Sequence, residues 1–323
     1  MIGLMLLLQT TLSIAVAGPP TSPEYLAVRV AEAEGYFADE GLRVTLRSLR
    51  GEPAAAEALA QGRTDLAATS VEAALRLGHL RGEPPRLVFG LTAASPAALL
   101  IAPGRADSIR GLDDLAGKTV GIPSPGTPES ALLHFLLARA GVPPQRVTIT
   151  SHGDRGLAGA IGSGAVAAAM IGEPWASRLL EDRQARLFAD FRRADEAARW
   201  LGGLTVHAAL FMRADSRLGA RELTPLVRAL LRATARLREA TPDELRARLP
   251  GAVTGASEEF APRLAAARGV ALPDGRVTAD ALERAVEMAR ERAGLPSVVR
   301  LPRALSGLLR TEALEEVLAS RPR

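Results

Sequence analysis

An α/β fold of two lobes, each a mostly parallel sheet flanked by helices with a ligand cleft between them, is predicted for this 323-residue chain by three observations. Short apolar strands alternate with amphipathic helices through its first two-thirds, the pattern of parallel sheets joined by helical crossovers. The alternation restarts once, near residue 97. A segment of the first half is also echoed in the second at a fixed offset, the trace that two lobes of like topology leave behind. The length suits about two domains, and with 47% hydrophobic residues a sizeable core is within reach.

The elements follow in order. "MIGLMLLLQTTLSIAVA" (1–17) is apolar and ends in the A-x-A-like "AVA", as a secretory signal does, yet no Lys or Arg precedes Arg29. Cleavage after Ala17 would also remove "LSIAVAG", which reads as the first core strand. The expectation is a residual signal- or anchor-like segment over 1–11, too short for a membrane span, with the folded domain starting at Leu12. "SPEYLAVRVAEAEGYFADEG" is an amphipathic helix stopped at Gly35; "LRVTLRSL" (42–49) alternates as a strand; "EPAAAEALAQG" is a helix closed by Gly62. "TDLAATS" (64–70) is a short buried strand, "VEAALRLGHLRG" a helix and "PRLVFGLT" (85–92) a strand. The pattern then restarts with strand "AALLIAP" (97–103), a loop carrying "GLDDLAG", strand "KTVGIP", helix "PESALLHFLLARAG", strand "RVTITSH", helix "LAGAIGSG", strand "AVAAAMIG" and helix "PWASRLLED". After "HAALFMRAD" (207–215) the remainder reads as helices separated by Pro and Gly.

The echo lies between "ALAQGRTDLAATSVEAA" (58–74) and "AIGSGAVAAAMIGEPWA" (160–176): a helix, a glycine, a short strand and a polar loop, with Gly62 and Gly164 as equivalents. Parallel sheets bind ligands at the carboxyl ends of their strands. Two facing lobes would therefore oppose loops 18–25, 69–72 and 92–96 to loops 123–128 and 171–175 across a cleft, a common ligand location.

Composition narrows the function. The net charge is +4, but acids and bases alternate along helices such as "ALERAVEMARERAG" (281–294), with neither a basic run nor an aromatic stacking set, so no nucleic acid is expected as a partner. The chain has no cysteine, which excludes disulfides, a thiol nucleophile and a lipid-modified N-terminal cysteine. Within "GIPSPGT" (121–127), Pro123 and Pro125 stiffen the loop, Gly126 permits a close turn, and Thr127 caps a helix that begins with Pro128 and Glu129. Free N–H groups at such a helix start can hold an anion or a polar oxygen. The same residues also make an ordinary helix start.

"VAEAEGYFADEGLRVTLRSL" (30–49), "QGRTDLAATS", "GHLRGEPPRLVFG", "IRGLDDLAGKTVGIPSPGT", "KTVGIPSPGTPESALLHFLLARAGVPPQRVTI" (118–149), "IGEPWASRLLED" and "DFRRADEAARWLGGLTVHAALFMRAD" (190–215) form one collinear series. In these stretches and their order the chain resembles the solute-binding proteins of ABC importers, in the nitrate/sulfonate/taurine and thiamine-pyrimidine-precursor group. The resemblance spans roughly residues 12–215 and implies the two-lobed periplasmic-binding-protein fold of type II. Lobe I would hold 12–96 and 207–323, and lobe II 97–206. By position it implies ligand contacts at Ser22, Glu24 and Tyr25; at Thr69 and Ser70; at Thr92 and Ser95; at Ser124, Gly126 and Thr127; and at Glu173, Pro174 and Trp175. Each has a purely structural alternative: helix-start carboxylates for Glu24 and Glu173, packing for Trp175, helix capping for Thr69 and Ser70. His207 is a further candidate, near a hinge strand. The chain departs from the family pattern where Ala167 stands in the place Asp65 holds in lobe I, and where prolines crowd the stretch from Gly18 to Pro23.

Enzyme motifs do not hold. "GLDDLAGKT" (111–119) has five residues between its glycines where a phosphate loop needs four, and it precedes a strand. No serine sits in a G-x-S-x-G elbow. The four histidines (79, 134, 152 and 207) show no metal-ligand spacing, and His79 and His134 lie within helical patterns. The resemblance thus implies a non-enzymatic, cofactor-free, monomeric, extracytoplasmic protein that closes on a small molecule and delivers it to an ABC permease in the membrane. An enzyme on the same scaffold, of the dehydratase or pyrimidine-precursor synthase type, is the alternative. Among sulfonate, nitrate, taurine and pyrimidine-like solutes the ligand stays open: hydroxyls and the helix start suit a sulfonate, carboxylate or other small anion, whereas Glu24 and Glu173 suit an amine or pyrimidine.

Overall fold

The computed structural model describes residues 10–105, 107–293 and 295–320. Its strands are β1 (Thr10–Ala17), β2 (Leu42–Leu49), β3 (Leu66–Ser70), β4 (Arg86–Thr92), β5 (Ala97–Ile101), β6 (Thr119–Ile122), β7 (Thr148–Ser151), β8 (Ala168–Gly172), β9 (Arg186–Asp190) and β10 (Ala208–Met212). They form two five-stranded sheets, ordered β2-β1-β3-β10-β4 and β7-β6-β8-β5-β9. Both follow one plan. The first three strands run parallel, the fourth is antiparallel, and the fifth returns to the direction of the first three. Each antiparallel strand is the one that a crossover between the sheets delivers, which is why these sheets are mixed.

Helices α1 (Leu26–Ala33), α2 (Tyr36–Asp39), α3 (Gly51–Ala60) and α4 (Val71–Leu77) flank the first sheet; α5 (Pro128–Arg139), α6 (Gly153–Gly162), α7 (Trp175–Glu181) and α8 (Ala194–Leu201) belong to the second. The C-terminal segment is helical as expected, in α9 (Ala220–Glu239), α10 (Pro242–Arg248), α11 (Gly251–Thr254), α12 (Ser257–Val270), α13 (Ala279–Ala293) and α14 (Glu312–Ala319). The long α9 packs on α1, α2 and α14, so these helices enlarge the first lobe's core. The second sheet instead has a separate cluster on each face. Ala97, Leu99 and Ile101 of β5 enter one, and Ala98 and Leu100 enter the other, as strand alternation requires.

Three expectations change. β1 begins at Thr10 rather than Leu12, with Thr10 and Thr11 paired to Leu42 and Arg43; residues 1–9 of the expected leader lie outside the described residues. β9 lies mostly in 183–189, to which the sequence reading gives no element, and α8 lies in 190–215, which enters only through the resemblance. Four of the five β9 positions are exposed or half-buried, so no clean alternation marked it in the sequence. His79 falls beyond α4, where its Nδ1 accepts from the Gly82 N–H at 3.3 Å.

The two crossovers run side by side. The His207 N–H donates to the Thr92 carbonyl at 2.8 Å, and Ala93 N–H donates to the Val270 carbonyl at 2.8 Å. The lobes are joined here, and α13 of the C-terminal segment adds packing against α5 of the second lobe.

Candidate functional site

A cavity of about 730 Å3 opens between the carboxyl ends of the two sets of parallel strands. Each strand that ends there turns into a helix through Pro or Gly followed by an acid. The junctions are Pro23-Glu24 after β1, Gly51-Glu52 after β2, Pro128-Glu129 after β6, Gly153-Asp154 after β7 and Gly172-Glu173 after β8, and all ten residues line the cavity. The two lobes supply matching positions: Glu24 after β1 answers Glu129 after β6, and Glu52 after β2 answers Asp154 after β7. Only Glu24 and Glu173 were singled out from the sequence. Glu52, Glu129 and Asp154 were missed because an acid at a helix start is unremarkable alone; the recurrence at five strand ends was the available signal.

The electrostatics of these groups differ. Burial raises the Glu24 carboxyl to about 7 from an ordinary 4.5, against the lowering effect of His207, and Glu129 and Glu52 raise it further. Burial likewise raises Glu129, with Asp154 and Glu52 adding to it, and burial raises Asp154. Glu24 and Glu129 each turn back onto their own backbone N–H. Among the described residues none of Glu24, Glu129 and Asp154 has a salt-bridge partner. Glu52 behaves otherwise. Burial pushes it up, but the contact and charge of His207, then the hydroxyls of Ser70 and Tyr25, outweigh that and hold it below its usual value. Its Oε1 lies 3.4 Å from His207 Nε2 and accepts from the Tyr25 hydroxyl at 3.1 Å. Burial would lower His207, yet Glu52 and Glu24 raise it.

Glu173 is tied into a buried network. Its carboxylate accepts from Ser177 N–H (3.1 Å) and Oγ (2.8 Å), and its Oε1 accepts from Arg192 Nη1 at 2.8 Å. Arg192 also grips Asp190 through Nε and Nη2, both at 2.8 Å. Trp175 lines the cavity next door, with the Arg178 guanidinium 5.0 Å from its ring centre. Arg192 was not a sequence candidate; it reaches Glu173 from the loop after β9, nineteen residues on.

The remaining candidates sort clearly. Ser22, Tyr25, Ser124, Gly126, Thr127 and Pro174 are on the cavity wall. Thr127 Oγ1 accepts from Ser130 N–H at 3.3 Å, so it caps α5 as its structural alternative holds. Ser70, Ser95 and His207 line a smaller chamber of about 70 Å3, which shares Glu52 and Pro128 with the larger one. Ser70 also caps α4, accepting from Ala73 N–H at 3.2 Å. Thr69 and Thr92 line neither cavity. Thr69 is fully buried with its hydroxyl donating to the Glu52 carbonyl at 3.0 Å, which leaves it holding the β2–α3 turn rather than facing a guest.

The NMT1/THI5 like family matches residues 22–240. Solved structures with the same fold include a Bordetella bronchiseptica RB50 protein (23% identity, 97% of this chain and 98% of that one, TM-score 0.75). They also include the periplasmic aliphatic sulphonate binding protein SsuA of Escherichia coli (18%, 93% and 98%, 0.68) and the alkanesulfonate-binding protein SsuA of Xanthomonas axonopodis pv. citri bound to MOPS (20%, 93% and 98%, 0.63). No curated protein sequence matches the chain. With more than half its length matched and its two-lobed periplasmic-binding-protein-like fold in place, this chain belongs to the NMT1/THI5-like family.

Proposed function

We propose that this protein is the solute-binding component of an ABC importer, extracytoplasmic in location, which captures a small polar solute by closing lobe I (12–96 and 207–323) onto lobe II (97–206). The observation that carries the reading is the cavity of about 730 Å3 walled by equivalent strand ends of two like sheets. A guest there touches both lobes at once, and only such a guest has the differential affinity that shifts an open–closed equilibrium. The family and the sulfonate-binding structures that share the fold support it. Ser22, Glu24, Tyr25, Ser124, Gly126, Thr127, Glu173 and Trp175 are the proposed contacts, and an ABC permease is the proposed partner of the closed form. Sulfonate, nitrate, taurine and pyrimidine-like compounds are the solute classes to test first.

A second reading is favoured by Glu24 alone. A cleft carboxyl poised near 7 is what a general acid–base enzyme uses. Native mass spectrometry of the purified protein, followed by a thermal-shift panel with small-angle scattering, separates the two. A stable complex that melts higher and is more compact supports solute binding. Turnover of a panel compound without a stable complex overturns it in favour of catalysis.

A further inference from the structure

Helix N-termini are ready-made anion sites because their first N–H groups are unsatisfied and their dipoles are positive. In this cleft the protein fills those positions with its own carboxylates. Glu24 and Glu129 cover their own N–H groups, Glu173 accepts the first-turn N–H of Ser177, and Glu52 and Asp154 stand at the second residue of α3 and near the start of α6. Six carboxylates line the cavity against two arginines, Arg50 and Arg263. Arg263 is committed to Glu259 at 2.6 Å, and Arg50 is exposed. Carboxyl groups thus outnumber guanidinium groups on this wall three to one, with the hydroxyls of Ser22 and Ser124 beside them.

A separate observation marks the space beside the cleft as a place for a polar group of the guest. Ser95 Oγ is 6% exposed as a residue and has no hydrogen-bond partner among the described residues. It lines the small chamber that adjoins the cleft at Glu52, and a hydroxyl in that position can accept an N–H.

We infer that the cleft is built for a small organic cation bearing N–H donors (an amine, amidine or guanidinium) clamped between Glu24 and Glu52 of one lobe and Glu129 and Asp154 of the other. The inference rests on the solute-binding reading above and fixes its substrate class. The groups facing Glu24 are His207 from the start of β10, Glu52 from α3 and Glu129 from α5, with Arg50, Asp154, the Arg192-paired Glu173 and the Glu259–Arg263 pair around the rim. Without a cation, closure leaves these carboxyls either protonated or facing one another as like charges. A cation replaces both by attraction to both lobes, and the proton held on Glu24 passes to the buffer as it binds.

The test is calorimetry on the full chain with benzamidine and agmatine against isethionate and nitrate, at neutral pH in two buffers of different ionisation enthalpy, with scattering to read closure. The expected result is that a cation at millimolar concentration binds with compaction and proton release while neither anion does. Glu24→Gln and Glu129→Gln should each weaken the cation at least tenfold yet unfold as cooperatively as the parent. Compaction by isethionate or nitrate overturns the cation assignment and leaves the solute-binding reading standing. Compaction by none of the four probes overturns both.

Discussion

The two lobes share a strand plan but are held differently where the plan meets chemistry. In lobe I the third strand is stapled to the first by a side chain: Asp65 Oδ2 accepts from Ser13 N–H at 2.8 Å and from Ser13 Oγ at 2.7 Å. In lobe II the equivalent residues are Ala167 and Thr119, and only the backbone bond from Ala167 N–H to the Thr119 carbonyl, 2.8 Å, remains. At the cleft end the order reverses. Lobe I finishes its third strand with Ser70, a neutral helix cap, whereas lobe II places Glu173 there and balances it with Arg192. A topology constrains where a residue sits, and each lobe meets the local electrostatic demand by its own means.

The sharpest way to break this comparison is to remove the balancing charge found in lobe II. Arg192→Leu leaves Glu173, with 1% of its side chain exposed, and Asp190 without their cation. A buried charge stripped of its partner costs about 3–5 kcal/mol. Chemical denaturation should show that loss, and a cost below about 1 kcal/mol would mean that Glu173 is effectively solvated.

A somewhat smaller effect should appear in the pH dependence of the empty protein. The unfolded Glu24 carboxyl loses its proton near 4.5 and the folded one near 7. Between these values folding takes up a proton, so stability falls as pH rises through the window. The penalty is absent below pH 4.5 and complete above pH 7, at about 3 kcal/mol. Glu24→Gln should flatten that part of the stability–pH curve and melt higher than the parent at pH 8. A curve unchanged by the substitution would show that Glu24 is ionised in the folded protein at ordinary carboxylate pH.

The smallest effect concerns the staple. Asp65→Ala removes two hydrogen bonds to Ser13 from an exposed carboxylate and should cost about 1.5 kcal/mol in urea unfolding. It brings lobe I to the arrangement lobe II already has. A negligible cost would make the difference between the lobes incidental.

Much of this was legible in the chain. The alternation of strand and helix is a local property, written in the spacing of apolar residues, and so were the restart near residue 97 and the glycine pair Gly62 and Gly164, both with positive φ (66° and 76°) where a helix ends. The edge strand β9 was not legible, because an edge need not alternate. Nor were the roles of Thr69 and Thr92, because burial of a strand end depends on what packs over it.

The sequence by itself determined the fold class, the repetition of one topology and the polar strand ends, since periodicity and turn chemistry act between near neighbours. Tertiary structure alone decided the charge of the cleft. Glu24, Glu52, Glu129 and Asp154 are separated by up to 130 residues along the chain. Only the apposition of the two sheets puts them around one cavity, where burial and neighbouring carboxylates raise Glu24 and Glu129, burial raises Asp154, and His207 holds Glu52 down.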